Sequence, residues 1–372
     1  MIQFTLDNTD PTGARVARVC VRGHCFDTPA FMPVATQATV KALTQEEVMA
    51  LGARIVLGNA YHLYLRPGIE LVRKAGGLAR FMEWPGATLT DSGGYQIFSL
   101  APLIEVSDEG VTFRSHIDGS EHFLTPEAAT EIQHAIGADI IMAFDQPVGY
   151  PADREKVEEA TDRSDAWAAR CMEAHAGAGS DQALFGIVQG GFEPELRGRS
   201  ADRLTGIGFD GYAVGGLSVG EPKEETFGLL AETAPLLPAD RPRYLMGVGK
   251  PSDIVRAVGL GIDMFDCVLP TRLGRNGTAY TQRGKVNLKN AQYQEDFGPL
   301  DPDCECEVCR RYSRAYLRHV YKAGEILAAR CLSYHNVHLY LRLMESIRKA
   351  IARNEYEEFA REFLEKRNDR NE

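Results

Sequence analysis

The sequence predicts an α/β protein: a (β/α)8 barrel with a β-hairpin insertion after its third strand and a metal-binding subdomain near the C-terminus. Three observations predict it. Between Pro29 and Pro270, eight short apolar, β-rich runs alternate with longer amphipathic segments, the pattern of parallel strands joined by crossover helices. The stretch Leu103 to Phe123 interrupts that alternation once, and after Pro270 it gives way to clustered cysteines and then helical periodicity. A chain of 372 residues has room for one such barrel and an appendage.

The eight strands are expected at Ala30 to Ala35, Arg54 to Asn59, Ala87 to Asp91, Asp139 to Asp145, Ala183 to Gln189, Gly211 to Leu217, Arg243 to Gly247 and Met264 to Leu269. Of the intervening helices, Thr44 to Leu51 opens with the capping-box spacing Thr44-x-x-Glu47, and Pro126 to Ile136 and Pro251 to Val258 carry proline in the first turn, where its missing N–H costs nothing. Val111, Phe113 and His116 around Asp118-Gly119 read as inserted hairpins. Beyond Pro270 we expect a basic loop, then the cysteine cluster, then helices through Leu327, Leu339, Leu343 and Ile347, and a surface helix with a frayed end over Arg353 to Glu372. The expected division is a catalytic barrel over 1–270, a basic loop and metal subdomain over 271–340, and closing and terminal helices over 341–372.

Composition excludes several classes. A hydrophobic share of 44% and a charged share of 25% are those of a folded globular protein. No apolar run approaches the roughly 18 residues needed to cross a bilayer, and Met1 to Arg15 lacks a signal-peptide layout, so the expected location is cytoplasmic. A net charge of −11 argues against a protein that coats nucleic acid indiscriminately. Local charge differs: Thr271 to Asn290 and Val308 to Gly324 contain no acid, and if the second stretch is one helix, Arg310, Arg314, Arg318 and Lys322 form a single stripe. That stripe fits either RNA phosphates or an ordinary solvated face.

The chemistry is expected at the C-terminal ends of the strands, where barrels of this type build their sites. There the apolar runs end in polar residues: Asn59, Asp91-Ser92-Gly93-Gly94, Asp145, Gln189-Gly190-Gly191, Gly215-Gly216-Leu217 and Asp266. One such aspartate is commonly a helix cap or a loop hydrogen bond, but three on one rim permit a double displacement at an anomeric carbon, one carboxylate attacking and another moving protons. Asp145 and Gln189 could instead read the donor and acceptor edges of a flipped-out purine. The adjacent glycines allow close approach of a flat ligand, or are turn residues.

Cys304-x-Cys306-x-x-Cys309 supplies three thiolates, and His335 completes a closed Cys3His tetrahedral set, the pattern of one structural zinc ion; Cys331 and His338 are rival fourth ligands about one helical turn away.

These motifs, Asp91-Ser92-Gly93-Gly94-Tyr95-Gln96, Phe144-Asp145, Gln189-Gly190-Gly191, Tyr212-Ala213-Val214-Gly215-Gly216-Leu217, the run from Asp263 to Arg272 and the Cys3His set, resemble the bacterial tRNA-guanine transglycosylases, in order and over nearly the whole chain. The resemblance implies replacement of guanine at the anticodon wobble position of tRNA by 7-aminomethyl-7-deazaguanine, the prequeuosine base, through a covalent aspartyl-ribosyl intermediate, a step of queuosine biosynthesis. It implies Asp266 as nucleophile and Asp91 as general acid/base. Asp145, Gln189, Gly216 and Leu217 would hold the base, Tyr95 and Met246 would sandwich it, and Asn59 would lie near the ribose. Arg272 and Arg275 would contact the anticodon loop. It further implies a homodimer, with Tyr312, Tyr316 and His319 in the contact or, alternatively, in ordinary core packing. Where the bacterial pattern reads Glu-Cys-Thr after the strand-four aspartate, this chain has Gln146-Pro147-Val148, which leaves queuine open as the incoming base, although Val219 keeps the bacterial form. A non-catalytic tRNA-binding partner subunit would be expected to lack the nucleophile. A barrel glycosidase would not explain the basic stretches.

Overall fold

The structure, a computed structural model, describes residues 2–101 and 103–367; the last residues of the expected terminal helix, 368–372, and Met1 of the expected barrel lie outside them. Eight parallel strands form the core: β1 (Ala30–Pro33), β2 (Ile55–Gly58), β3 (Ala87–Thr90), β4 (Ile140–Met142), β5 (Ala183–Val188), β6 (Gly211–Val214), β7 (Arg243–Leu245) and β8 (Met264–Cys267). Their order around the sheet is β1-β8-β7-β6-β5-β4-β3-β2, and a parallel bridge between Val34 and Leu57 joins the two ends, closing the barrel. Each strand lies inside its expected run. Their C-terminal ends come earlier than expected: after β2, β3, β5 and β6 it is the polar or glycine residues that leave the ladder for the loops.

Strand periodicity explains the layering. Ile55, Leu57, Ile140, Met142, Phe185 and Ile187 point inward and pack together, whereas the alternate residues Val56, Ile141, Leu184 and Val188 face the surrounding helices. The capping box at Thr44 and Glu47 is formed, and the helices Pro126–Ile136 and Pro251–Gly259 start on their prolines. After β3, the helix Gly94–Leu100 leads into the insertion, a three-stranded antiparallel sheet of Ile104–Val106, Val111–Arg114 and Glu121–Leu124.

One element was not read from the sequence. Gln3–Thr9, Arg15–Val21 and His24–Thr28 form an antiparallel sheet whose Val19, Val21 and Phe26 join the inward-facing cluster and so cover one end of the barrel. A buried ion pair, Arg15 to Asp263, fastens it beside the start of β8, and a disulfide links Cys20 to Cys25.

Two expectations beyond Pro270 need correction. The acid-free stretch is a helix, Leu269–Arg275, and a hairpin, Thr278–Thr281 with Gly284–Asn287, rather than a loop. The basic stripe is broken, because one helix ends at Arg311 and the next, Arg314–Lys322, starts afresh with Ser313 as its cap. Arg310 pairs with Glu305 and Arg314 with Asp296, so acids from neighbouring segments neutralise half of the expected stripe. The helix Ile326–Ala352 then runs unbroken past residue 340: Leu332 packs with the cysteines, while Tyr340, Met344 and Ile347 pack on the barrel. Among the described residues, no helix is long and apolar enough to cross a membrane.

Candidate active site and metal centre

Parallel strands all end on one face, so the polar residues that follow them converge. Asn59 follows β2, Asp91 follows β3, Asp145 lies just past β4, Gln189 follows β5, Gly216 and Leu217 lie past β6, Met246 follows β7, and Asp266 sits within β8. The structure thus brings the expected carboxylates, amides and backbone positions to one rim. Tyr95, on the helix after β3, is 59% exposed beside this rim, and Met246 is half-buried against the barrel interior. Arg272 and Arg275 lie on the short helix that follows β8.

Asp91 is buried, with Oδ2 accepting from the Asn59 amide and Oδ1 from the Ala60 backbone N–H at 2.9 Å. Burial pushes its pKa up to about 7. The Asn59 and Ala60 donors oppose the rise, and the negative charge of Asp266 adds to it, which places the two carboxylates within electrostatic reach. Asp266 Oδ1 accepts from the Tyr244 hydroxyl at 2.6 Å and the Gly247 N–H at 2.8 Å. Its pKa is also raised by burial, against the pull of those two donors. Both acids are raised by burial and held by donors that favour their charged forms, and Asp91, with its pKa lifted to about 7 beside the charge of Asp266, is poised to hold a proton near neutral pH.

Next to them, Asp145 accepts from Ser92 Oγ at 3.0 Å and from Gln189 Nε2 at 2.7 Å, and burial lifts its pKa to about 6. Gly94 lies against it: a Cβ there would stand 2.6 Å from the Asp145 carbonyl oxygen, so no side chain fits. This arrangement can present both hydrogen-bond donors and acceptors to the edge of a flat heterocycle.

Sequence reading missed the residues that orient these groups. Tyr244, Gly247 and the Ser92 hydroxyl were not singled out, nor was Gln96, whose side chain bonds Asp91. No signal in the sequence marks Tyr244, which lies between Arg243 and Leu245 in a run that reads as one more strand.

The sulfurs of Cys304, Cys306 and Cys309 lie 3.7, 3.5 and 3.3 Å from His335 Nδ1, and all four atoms fall within 4.8 Å of one another. A tetrahedral centre with metal–sulfur bonds of ~2.3 Å and metal–nitrogen bonds of ~2.0 Å requires sulfur–nitrogen separations of about 3.5 Å. The residues therefore fit a metal ion. His335 Nε2 bonds the Tyr280 carbonyl at 2.6 Å, which puts the proton on Nε2 and leaves the Nδ1 lone pair facing the thiolates. Of the rival ligands, Cys331 stays outside the cluster as a buried thiol with its pKa raised to about 11, and His338 lies almost one turn further along the helix.

The chain is similar to known proteins over nearly its whole length. A family model described as queuine tRNA-ribosyltransferase matches residues 10–369. A protein of that name from Pelotomaculum thermopropionicum is 56% identical over 366 residues, covering 98% of this chain and 98% of the relative. Its counterpart in Moorella thermoacetica is 54% identical over 99% of this chain and 98% of the relative, and that of Symbiobacterium thermophilum is 53% identical over 98% and 91%. With a match this long and this similar, the chain belongs to the queuine tRNA-ribosyltransferase family, a family of transferases.

Proposed function

We propose that this protein exchanges guanine at the wobble position of a tRNA anticodon for 7-aminomethyl-7-deazaguanine by double displacement. The observation that carries the reading is the pair of carboxylates on one rim, Asp91 with its pKa lifted to about 7 and Asp266 close enough for its charge to act on Asp91. Asp266 attacks the ribose anomeric carbon as the glycosidic bond breaks, and Asp91 gives its proton to the departing guanine. The incoming base then loses a proton to Asp91 and displaces Asp266 from the same carbon, so the ester breaks as the new glycosidic bond forms.

Asp145, Gln189, Gly216 and Leu217 hold the base, with Tyr95 and Met246 on its two faces and Asn59 near the ribose. Arg272 and Arg275 meet the anticodon-loop phosphates. The Cys3His set holds one structural zinc ion, which would tie the hairpin after β8 to the long C-terminal helix. The working form is a cytoplasmic homodimer, in which the Tyr312–Tyr316 stack, with ring centroids 5.3 Å apart, and His319 take part in the contact.

The test is incorporation of labelled guanine into tRNA. Asp266→Asn is expected to abolish exchange while leaving tRNA binding in place, and full activity in that variant would remove Asp266 as nucleophile. Mass spectrometry of tRNA incubated with each base decides the incoming one: insertion of queuine but not the prequeuosine base would mean that Pro147 has changed the preference.

A further inference from the structure

Arg197 is a buried cation without an ion-pair partner; the Glu221 carboxylate acts on it from beyond ion-pair distance and is itself bonded by the Ser218, Val219 and Gly220 N–H groups and the Thr226 hydroxyl. Arg197 is carried by the helix Pro194–Ile207, behind the rim, and is only 1% exposed. No carboxylate lies within ion-pair distance of it among the described residues. Backbone carbonyls solvate the charge instead. Nε donates to the Gly191 carbonyl at 2.8 Å, and Nη2 donates to the Gly215 carbonyl at 3.1 Å and more weakly to that of Gly216 at 3.5 Å. The remaining nitrogen, Nη1, is buried with no protein partner.

Burying a guanidinium without a directly paired counter-charge is costly, and the pull of Glu221 offsets only part of the burial, so a purely structural account is poor. Its position supplies another. Gly191 belongs to the turn after β5 and Gly215-Gly216 to the turn after β6, the two turns that flank the base-recognition amide of Gln189. A Cβ on Gly215 would stand 2.7 Å from Gln189 Nε2, and one on Gly216 2.5 Å from Gln189 Oε1, so this backbone lies directly against that amide. The guanidinium fork holds both turns at once. A carbonyl drawn back toward Arg197 turns the following peptide N–H the other way, toward the rim, because carbonyl and N–H of one peptide are antiparallel.

We propose that Arg197 is a positioning residue for base specificity: by anchoring the Gly191, Gly215 and Gly216 carbonyls it aims the backbone N–H groups of Gly216 and Leu217 at the acceptor edge of the base and keeps Gln189 in place. The proposal rests on the base-exchange reading above. Lysine cannot replace the fork, since a single ammonium does not reach two turns in fixed planar geometry.

The test compares the wild type with Arg197→Lys and Arg197→Met in guanine exchange, with the free base and tRNA varied separately. KM for guanine is expected to rise ~10-fold or more in both variants, while KM for tRNA, set by many other contacts, stays within about twofold. A folded variant with an unchanged guanine KM, or one in which both KM values rise together, overturns the proposal. If the variants do not fold, hydrogen exchange on the wild type decides: free guanine should protect the segments 189–197 and 211–221 together, and protection confined to 211–221 overturns the coupling. Failure of the wild type to exchange guanine at all would refute the base-exchange reading instead.

Discussion

Removing the Tyr244 hydroxyl should weaken the attacking carboxylate in a way that can be read from pH. Tyr244 is buried, and its hydroxyl is one of two donors to Asp266 Oδ1, at 2.6 Å, with the Gly247 N–H at 2.8 Å the other. Phenylalanine keeps the ring, so the packing of β7 is preserved. A hydrogen bond to a charged group contributes about 1.5–3 kcal/mol, and 1.36 kcal/mol corresponds to one pKa unit. Because the donor favours the ionised form, its loss raises the pKa of Asp266, by about 1–2 units on this scale. Attack needs the carboxylate, so we predict that the acidic limb of the kcat/KM profile for tRNA moves up by that amount in Tyr244→Phe. Exchange measured on the acidic limb should fall about 10- to 100-fold, while the rate at the top of the profile is largely recovered. A uniform loss at every pH, with the limb in its wild-type place, would mean that Tyr244 acts through packing and not through the charge on Asp266.

Four further outcomes are expected. Asp91 must enter the first step protonated, so we predict that kcat/KM falls above pH about 7, the value to which burial lifts this group, and that Asn59→Ala, by deleting a donor that favours its charged form, moves this alkaline limb upward; a limb that moved downward would be incompatible with the proposed role. The same shift has a stability consequence with a fixed sign. The folded pKa lies above the unfolded one, so this contribution is complete below the unfolded value and disappears as pH rises through about 7, and thermal melts of Asp91→Asn should lose less stability than the wild type between pH 6 and 8. Stripping the metal with a chelator, or introducing Cys306→Ser, should loosen the hairpin Thr278–Thr281/Gly284–Asn287 and the first turns of Ile326–Ala352, seen as lost amide protection there but not in β1 to β8; equal loss in the barrel would remove the local role assigned to the cluster. Finally, Arg272→Ala and Arg275→Ala should each weaken tRNA binding and lower the salt dependence of log Kd by about one, without changing KM for the free base.

The barrel was legible because its signal is periodic. Each inward residue such as Ile55 or Phe185 has its outward neighbour one position along, and eight repetitions of that alternation leave few alternative folds. The rim was legible for a related reason, since Asn59, Asp91 and Gln189 stand where an apolar strand has no packing need for them. What escaped notice was whatever depends on tertiary pairing. Tyr244 reads as one more apolar strand residue until Asp266 is seen beside its hydroxyl, and Arg197 reads as a surface residue of an amphipathic helix until the carbonyls around it are seen. The N-terminal sheet was missed because it lies outside the repeating βα pattern and Gln3–Thr9 has no fully buried position, and only the closure of the barrel end gives Val19, Val21 and Phe26 a core to join.

Charge shows the same limit and resolves the conflict between a net charge of −11 and a polyanionic partner. Equal weight falls on Arg310, Arg314, Arg272 and Arg275 in the sequence, but in three dimensions the first two are paired with Glu305 and Asp296. The cations left over stand together beside the carboxylate rim. Lys41 is depressed by burial and by the charge of Arg275, and Arg275 by burial and by the charge of Arg272. Like charges held this close raise the energy of the free protein, and a phosphate placed among them relieves the repulsion as well as adding its own attraction. The net charge of −11 works against any approach of nucleic acid, so in the proposed reading the attraction comes from this local cluster of Lys41, Arg272 and Arg275. A protein of the same overall sign as its partner gains from a local cationic cluster of this kind, since it offers one loop of a polyanion an attraction that the net charge of −11 does not.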